Sequence, residues 1–373
     1  MKDDEEWSQI RFMARIGIIT IPRADNYGSV LQAYAIQQFV NEIEPNNELI
    51  DYVAPFLVGR YKLWNLRKDN LFVFVKSFIR NCLIYNGKKR KSKKYEEFRN
   101  LMKFSNQTIY ASDRIGKYEF YITGSDQIWN TRITNSNSTF FLDFVNDSER
   151  KIAFAVSMGY ANRTDDEIAF YKKMLSSIKW IGVREIQDVD FVKQCNAECN
   201  VDYIIDPTLL LPESKWHELL SKRLIDEEYI LVYSFGNDDE VNEVAIRLSE
   251  QYHLPVYIIA DEWKKVNSNG FINVSGVGPR DFINLIANAN HVVTNSFHGT
   301  AVSVIFRKQF TVVPYKGTEN RVLSLLKILN LETGIYENNI CKTIDYSTVD
   351  SILQRERNKA KKFIQNVIGE GLK

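Results

Sequence analysis

The sequence is poor in cysteine and histidine and has almost no net charge. Its 373 residues include four cysteines and four histidines, and 48 Lys and Arg residues balance 47 Asp and Glu residues, for a formal charge of +1. So few cysteines cannot form a disulfide framework in a chain of this length, and we expect a reducing compartment. Cys195 and Cys199 have no matching Cys or His pair, which argues against a zinc site. The near-neutral total charge argues against nucleic acid as a partner.

Long apolar runs and several catalytic motifs are also absent. The most apolar stretch with basic flanks, residues 71–79, is interrupted by Lys76 and is far shorter than the roughly 20 residues that span a bilayer. The first ten residues are acidic and polar, unlike a secretory signal. We therefore expect a cytoplasmic protein without a transmembrane helix. The lack of GxGxxG after the first predicted strand, and of a P-loop, GxSxG or HExxH, argues against dinucleotide-binding enzymes, NTPases, serine hydrolases and zincins.

Short apolar runs followed by polar turns recur along the chain, a pattern typical of parallel strands in an α/β protein. Ser29 is expected to cap the helix that follows the first strand. Later helices are predicted over residues 280–289, 299–306, 320–329 and 349–367. The predicted strands cover residues 15–21, 118–123, 152–156, 180–183 and 203–205, and then 229–235, 255–260, 291–294 and 310–314.

This pattern restarts near residue 212, and 373 residues exceed the roughly 250 to 300 that one core usually spans. We therefore predict an N-terminal α/β domain over residues 1–212 and a C-terminal α/β domain over residues 213–373. The last helix is able to cross back onto the first domain. Since ligands of open α/β sheets bind at the carboxyl ends of the strands, the turns after the predicted strands are the candidate site.

Positive charge is concentrated in one insertion in the first domain. Residues 60–103 carry fourteen Lys and Arg residues against three Asp and Glu residues, a net +11, which leaves −10 for the rest of the chain. Aromatic residues are interleaved with these charges. One interpretation is a surface for anionic phospholipid, a lipid-linked phosphate or nucleic acid. The other is a solvated helical excursion in which the KKRKSKK run, residues 88–94, forms a loop.

Among the four histidines, His298 has the most favourable position for catalysis. It follows a predicted strand and opens a predicted helix, where backbone N–H groups favour an anion. Its ordinary pKa suits proton transfer. The alternative is a histidine that caps its own helix. Arg184 follows one strand, and Lys316 and Arg321 follow another; these cations suit a carboxylate or phosphate, unless they are surface charges.

The first half of the chain contributes polar groups that suit a sugar. Asp126, Gln127 and Trp129 follow a predicted strand and offer hydrogen bonds to hydroxyl groups and an aromatic platform. The alternative is an Asx turn with the Trp129 ring in the core. The turn after the first strand allows a close approach of the backbone and adds Asn26, Tyr27 and Gly28.

Six short motifs, taken in their order and spacing, resemble the polysaccharide pyruvyl transferase family. Each motif is weak alone, but the set is specific and covers roughly residues 15–330. The resemblance implies two Rossmann-like α/β domains that face each other across a cleft, as in B-type glycosyltransferases, with phosphoenolpyruvate as the donor in that cleft. The motifs are NYGSVLQAY from Asn26, GSDQIW from Gly124, AVSMG from Ala155, GVRE from Gly182, DPTLL from Asp206 and NSFHGT from Asn295.

The same resemblance implies roles for individual residues. His298 corresponds to the family's catalytic histidine, Phe297 to the neighbour that touches the donor, and Arg184 to an arginine that holds phosphoenolpyruvate. Asp126 shares with His298 the candidacy for accepting a hydroxyl proton. Asn26, Tyr27, Gly28, Gln127 and Trp129 are the expected acceptor-binding residues.

One position departs from the family pattern. Many members have an arginine at the donor-binding position where this sequence has Ser296, so one donor-binding cation is missing or comes from elsewhere. Lys316, which matches a downstream basic residue of the family, is one candidate to replace it. Arg321 and Arg280 are the others.

The expected reaction is the transfer of the enolpyruvyl group of phosphoenolpyruvate onto two hydroxyls of a hexose, which gives a cyclic pyruvate ketal. It requires an acid to protonate the methylene carbon and cations for two anionic groups, but no metal and no cofactor beyond this co-substrate. The expected acceptor is a lipid-linked oligosaccharide precursor of a bacterial capsule or exopolysaccharide. The basic segment would then seat the enzyme peripherally on the inner face of the plasma membrane.

Two other functions fit the same features. The first is a glycosyltransferase that uses a nucleotide sugar on the same fold, which needs a base and ribose pocket in the second domain. The second is a non-catalytic sugar-binding or scaffold protein, which Ser296 in place of the arginine makes conceivable.

Overall fold

The computed structural model describes residues 14–58, 71–160, 162–236, 239–260, 270–314, 319–337 and 341–371. Lys316 and residues 60–70 of the basic segment lie outside the described residues, as do the first ten residues. None of the helices in the described part combines the length and apolar character that a membrane crossing requires.

The first half of the chain folds around a six-stranded parallel sheet with the order β2-β1-β3-β4-β5-β6. All residues of the five strands β1 to β5 are buried, which explains the mostly apolar sequences of β1, β3, β4 and β5. Strand β2 was not predicted, because it is only three residues long and two of them are polar. The strands are β1 Ile16–Ile19, β2 Asn47–Leu49, β3 Phe120–Thr123, β4 Lys151–Val156, β5 Trp180–Val183 and β6 Asn200–Tyr203.

The second half contains a five-stranded parallel sheet with the order β11-β10-β7-β8-β9. The predicted α/β class with two units is therefore confirmed. Strand β9 was not predicted, because its partly exposed edge position leaves it without a buried apolar run. The strands are β7 Ile230–Tyr233, β8 Val256–Ile259, β9 Ile272–Val274, β10 His291–Thr294 and β11 Gln309–Val312.

Helices cover both faces of the two sheets. The longest ones are α3, which contains most of the basic segment, and α13 at the end of the chain. The helices are α1 Tyr27–Asn41, α2 Pro55–Val58, α3 Leu71–Arg99, α4 Thr131–Thr134, α5 Asp165–Leu175, α6 Asp188–Cys195, α7 Pro207–Leu210, α8 Glu213–His217, α9 Asp239–Tyr252, α10 Pro279–Asn288, α11 Phe297–Ile305, α12 Glu319–Leu329 and α13 Val349–Gly371.

The first helix begins earlier than the sequence predicted. Asn26, not Ser29, is the N-cap of α1, and its side-chain oxygen accepts a hydrogen bond from the backbone N–H of Ser29. Asn and Ser are similarly favoured at this position, so composition alone did not separate them. The earlier start places Tyr27 and Gly28 in the first turn of the helix.

Helix α1 packs against both halves of the molecule. The ring of Tyr27 stacks on Phe282 of α10 at a centroid distance of 4.4 Å, and its hydroxyl donates to the backbone carbonyl of Val277 at 2.9 Å. Farther along α1, Tyr34 contacts Trp216. One apolar core therefore continues from the first sheet through α1 to the second sheet.

Helix α13 returns from the second half to the first sheet. Its Phe363 ring lies against Phe154 and Trp180, with centroid distances of 6.4 Å and 6.2 Å. An ion pair between Arg357 and Glu42 at 2.8 Å joins the same helix to the end of α1. The end of the chain thus fastens the second half to the first.

The KKRKSKK run lies inside α3, so the prediction that it forms a loop is wrong. The C-terminal turns of α3 pack into the protein, and Tyr95 is fully buried there. Lys94 pairs with Asp281 of α10 at 2.7 Å, and Arg99 donates to the carbonyl of Pro22 at 2.9 Å. These anchors hold the helical form of a run that is rich in like charges and would otherwise repel itself.

Candidate active site

A pocket of about 180 Å³ lies between the two halves of the molecule. It is formed by the segments that follow β1, β2 and β3 of the first sheet and β7, β10 and β11 of the second, where ligand sites of α/β proteins are expected. The first half contributes Ile21, Ala24, Asn26, Ser29, Leu57, Asp126, Gln127 and Ile133, and the second half contributes Phe235, Ser296, Phe297, His298 and Arg321.

His298 lies in the first turn of α11, between the two halves. Ser296 caps this helix by accepting from the N–H of Gly299, so His298 does not cap its own helix. The backbone of Gly28 lies against the imidazole, since a Cβ built at that position would be 2.2 Å from Nδ1. The other ring nitrogen, Nε2, is buried without a hydrogen-bond partner.

The charge state of His298 depends on its burial and on nearby carboxylates. Burial lowers its pKa, while the carboxylates of Asp206 and Asp126 act in the opposite direction. The nearest contact is with Asp206, whose Oδ2 is 3.8 Å from Nε2. The imidazole is therefore neutral near pH 7 in the free protein and close to groups that would stabilise a proton on it.

Arg184 lies next to His298 and Asp206, with its guanidinium group over the ring of Phe297. One guanidinium nitrogen, Nη1, donates to Asp206 at 2.7 Å, and the guanidinium carbon is 4.7 Å from the centroid of the Phe297 ring. Burial opposes the charged form, but Glu185 and Asp206 outweigh it and raise the pKa of Arg184. The second terminal nitrogen, Nη2, has no partner, so a fixed cation with a spare donor lies beside the histidine.

Arg321 forms part of the pocket wall from α12. Its side chain is partly buried, and this burial together with the nearby positive charge of Arg184 lowers its pKa. The side-chain amide of Gln127 lies 3.1 Å from a terminal nitrogen of Arg321, and hydrogen bonding assigns the amide oxygen to that side. The Nε atom of Arg321 has no partner.

The unpartnered N–H groups of these two arginines make the site suitable for an anion. A buried donor without a partner costs about 1–3 kcal/mol and more when it is charged, and most buried polar groups in proteins are satisfied. Two guanidinium groups close to one histidine also repel each other. A ligand with negative charge would relieve both costs.

Asp126 faces the cations from the first half. Its carboxylate accepts a hydrogen bond from Ser29 Oγ at 2.6 Å, and its backbone has φ of 62°, in the left-handed region that Asp tolerates better than most residues. Gln32 of α1 fixes the preceding residue by accepting from the Ser125 N–H at 3.1 Å. The turn after β3 is thus held in place by α1.

Three expected acceptor-binding residues, Trp129, Tyr27 and Gly28, do not line the pocket. Trp129 is fully buried; its ring stacks on Phe141 at 4.9 Å, and its indole N–H donates to the carbonyl of Phe140 at 2.9 Å. The prediction of a Trp129 platform is therefore wrong, because the turn directs the ring into the core. Tyr27 likewise has its ring stacked on Phe282 and joins the two halves.

A family model for polysaccharide pyruvyl transferases matches residues 26–317. The chain belongs to this family. The matched range includes the histidine, Arg184 and the six motifs, whereas Arg321 lies just beyond it. A search among curated proteins gives no match.

Solved structures with a similar course of the backbone include two UDP-N-acetylglucosamine 2-epimerases and a heptosyltransferase. The epimerase from Neisseria meningitidis is 8% identical, with 95% of this chain and 99% of that chain covered and a TM-score of 0.47. The epimerase from Rickettsia bellii is 9% identical, with 95% of each chain covered and a TM-score of 0.48. The E. coli heptosyltransferase is 10% identical, with 83% and 96% covered and a TM-score of 0.36.

Three residues of this pyruvyl transferase family member were not predicted as site residues. Asp206 connects the histidine to Arg184, Ser29 binds Asp126, and Phe235 lines the pocket. Asp206 begins the DPTLL motif, directly after a predicted strand, and that position was the available signal. Ser29 also lies in a motif, NYGSVLQAY, but its bond to Asp126 joins segments about 100 residues apart and gave no local signal. Phe235 lies in none of the motifs, and its contact with Asn295 joins segments 60 residues apart.

The sequence predicted no metal site. Among the described residues, no group of three or more His, Cys, Asp or Glu side chains is arranged to hold a metal ion. Cys195 and Cys199 are both free thiols.

Proposed function

We propose that this protein transfers the enolpyruvyl group of phosphoenolpyruvate onto two hydroxyls of a hexose and so forms a cyclic pyruvate ketal. One observation carries the proposal: His298 and Arg321 line one pocket, and Arg184, which does not line it, is joined to His298 through Asp206. Each of the two arginines has a buried N–H group without a partner. A carboxylate, Asp126, lies in the same pocket. Family membership supports a transferase that acts on polysaccharides.

The donor carries a carboxylate and a phosphate, and two buried guanidinium groups suit them. Arg321 reaches the pocket from α12 and takes the place of the arginine that many family members have at position 296. Ser296 caps α11 instead, and the first turn of this helix brings Phe297 and His298 to the pocket. Lys316, the other proposed donor-binding cation, lies outside the described residues.

The reaction begins with protonation of the donor. A bound trianion raises the pKa of His298, so the imidazole gains a proton and delivers it to the methylene carbon of phosphoenolpyruvate. The double bond becomes a C–H bond, and positive charge develops at C2 next to the ester oxygen. Asp206, 3.8 Å from Nε2, stabilises the imidazolium and keeps the ring in place.

Two hydroxyls of one hexose then bond to C2 in turn. The first attacks and loses its proton to His298 or Asp126. The C2–O bond to phosphate breaks as the second hydroxyl attacks, and the second proton leaves with the phosphate. The products are a ketal bearing a new methyl group and inorganic phosphate. Every step is a proton transfer, an addition or a substitution, so we propose no cofactor besides the co-substrate.

The acceptor binds on the side of the first half. Asn26 and Gln127 line the pocket there, and their amides offer both donors and acceptors to hydroxyl groups. We take the acceptor to be a lipid-linked oligosaccharide precursor of a surface polysaccharide, met at the inner face of the plasma membrane. The positive charge of α3 supports this choice, because anionic headgroups and lipid phosphates attract such a segment.

The first test is donor binding, which needs no knowledge of the acceptor. A ligand at 100 times its Kd stabilises the folded protein by about 2.7 kcal/mol, so phosphoenolpyruvate should raise the melting temperature of the wild-type protein. Arg321→Gln should lose most of this rise. Arg150→Gln is the matched control, since Arg150 is an exposed arginine with a surface partner, Asp147.

The same experiment includes UDP-glucose as a second ligand. Stabilisation by UDP-glucose but not by phosphoenolpyruvate would overturn the proposal and favour a nucleotide-sugar-dependent glycosyltransferase. No stabilisation by either ligand would favour a non-catalytic protein. Release of inorganic phosphate from phosphoenolpyruvate in the presence of hexosides would establish turnover.

A further inference from the structure

Phe235 has an exposed aromatic ring inside the pocket. Its side chain is 42% exposed, whereas the neighbouring aromatic residues Phe297 and Tyr233 are 6% and 8% exposed. Phe235 lies two residues after the end of the buried strand β7, at the point where the chain enters the cleft. An apolar ring left open in a pocket that combines apolar walls with a few polar groups marks a place where a ligand supplies the missing contact.

The side chain of Asn295 binds both the N–H and the carbonyl group of Phe235. Asn295 Oδ1 accepts from the Phe235 N–H at 2.8 Å, and Asn295 Nδ2 donates to the Phe235 carbonyl at 3.1 Å. Asn295 is buried and lies three residues before His298. The aromatic ring is thus held at a fixed position relative to the histidine.

The ring itself is supported from one side. Tyr233 lies edge-on to it, with a centroid distance of 5.7 Å and an interplanar angle of 63°. This contact covers part of the ring and limits its rotation. The remaining surface lines the same pocket as Asp126 and Asn26 of the first half.

We propose that Phe235 is the stacking platform for the hexose ring of the acceptor. This inference rests on the proposed function, since it takes the acceptor to be a sugar. One face of a hexopyranose exposes several C–H bonds, whose partial positive charge suits the negative face of an aromatic ring. The hydroxyls at the rim of the sugar then point toward the amides and carboxylate of the first half. Phe235 takes over the role that the sequence suggested for Trp129.

The position of the Phe235 ring also determines which pairs of hydroxyls on the acceptor hexose react. Because Asn295 fixes Phe235 relative to the loop that carries His298, the stacked ring has one depth and tilt in the pocket. Only a hexose whose two free hydroxyls project toward the donor from that orientation is converted. Phe235 is therefore a specificity-determining residue, and Asn295 is its positioning residue.

The test uses saturation-transfer NMR with three probes, the methyl β-D-glycosides of glucose, galactose and mannose. In the wild-type protein, at least one probe should receive saturation mainly at the C–H protons of one ring face. Phe235→Ala should reduce that transfer at least fivefold, and Phe235→Trp should retain it. Tyr252→Ala is the matched control, because Tyr252 is an exposed aromatic residue, 50% exposed, on α9, which does not line the pocket. Urea unfolding verifies that all variants are folded.

Two results would overturn the platform: equal transfer in wild type and Phe235→Ala, or no transfer to any of the three probes in the wild type. Neither depends on the donor, because phosphoenolpyruvate is absent. If phosphoenolpyruvate fails to stabilise the protein while hexoside transfer depends on Phe235, the donor assignment is wrong and the sugar platform stands. Where turnover is measurable, Phe235→Ala should raise the acceptor KM about tenfold and leave the KM for phosphoenolpyruvate unchanged.

Discussion

The backbone of Gly28 lies so close to His298 that a methyl group on its Cα would be 2.2 Å from Nδ1 of the imidazole. The contact joins the first turn of α1 to the first turn of α11, and so joins the two halves at the histidine. It leaves the ring little freedom on that side, which explains why a glycine is required here.

We predict that Gly28→Ala moves His298 or separates the two helices. Overpacking of this kind usually costs 1–3 kcal/mol, and a displacement of about 1 Å in a catalytic group can reduce the rate about 100-fold. Urea unfolding and phosphate release from phosphoenolpyruvate measure the two effects. Gly116→Ala is the control, because a Cβ there meets Tyr118 at an ordinary 3.8 Å. Equal behaviour of the two variants would contradict the close contact.

The position of Trp129 leads to a second prediction. Because its ring is fully buried and stacked on Phe141, Trp129→Ala should lower the free energy of unfolding by about 3–5 kcal/mol. Affinity for phosphoenolpyruvate, measured at a temperature where the variant is folded, should stay within a few-fold of wild type. A variant of normal stability that no longer binds hexosides would restore the platform that the sequence suggested.

The sequence predicted the sheets more successfully than the ends of the strands and helices. Buried strands such as β1 and β7 are continuous runs without charged side chains, and this signal is local. The direction of the Trp129 side chain is not local: the same GSDQIW turn is compatible with a ring in the cleft or in the core, and the core rings that receive it come from the following residues, around Phe141.

The sequence predicted only part of the candidate site, because some of its contacts are local to strand ends and others are not. His298, Arg184 and Asp126 follow strands, and the carboxyl ends of parallel strands meet at one edge, so their convergence follows from the fold class. The hydrogen bonds between Asn295 and Phe235 and between Ser29 and Asp126 each join segments that are far apart in the sequence, and no local pattern predicts them. The helical form of the KKRKSKK run depends in the same way on Lys94 reaching α10.

The basic helix gives a third prediction, on membrane contact. Lys89 and Lys93 are exposed on α3, and each basic residue near an anionic membrane contributes about 1 kcal/mol. Lys89→Ala with Lys93→Ala should therefore weaken binding to vesicles containing phosphatidylglycerol about 30-fold in co-sedimentation. The matched control changes Lys361 and Lys362, which are exposed on α13. Equal binding by both double variants would argue against α3 as the membrane-facing element.

The lowered pKa of His298 gives the last prediction, which concerns protons. Burial keeps the imidazole neutral in the free protein near pH 7, and a bound phosphoenolpyruvate anion raises its pKa. Binding at pH 7 should therefore take up close to one proton at His298, and affinity should increase as the pH falls from 8 toward 7, because the bound state holds more protons than the free state.

Calorimetric titrations in buffers of different ionisation enthalpy measure this uptake. His298→Gln is the necessary comparison, since the phosphate of the donor itself titrates near pH 6 and contributes equally in both proteins. The wild type should take up more protons than the variant, and the difference belongs to the imidazole. If the two proteins take up the same number of protons, His298 does not become charged when the donor binds, and the proton for the methylene carbon must come from another group.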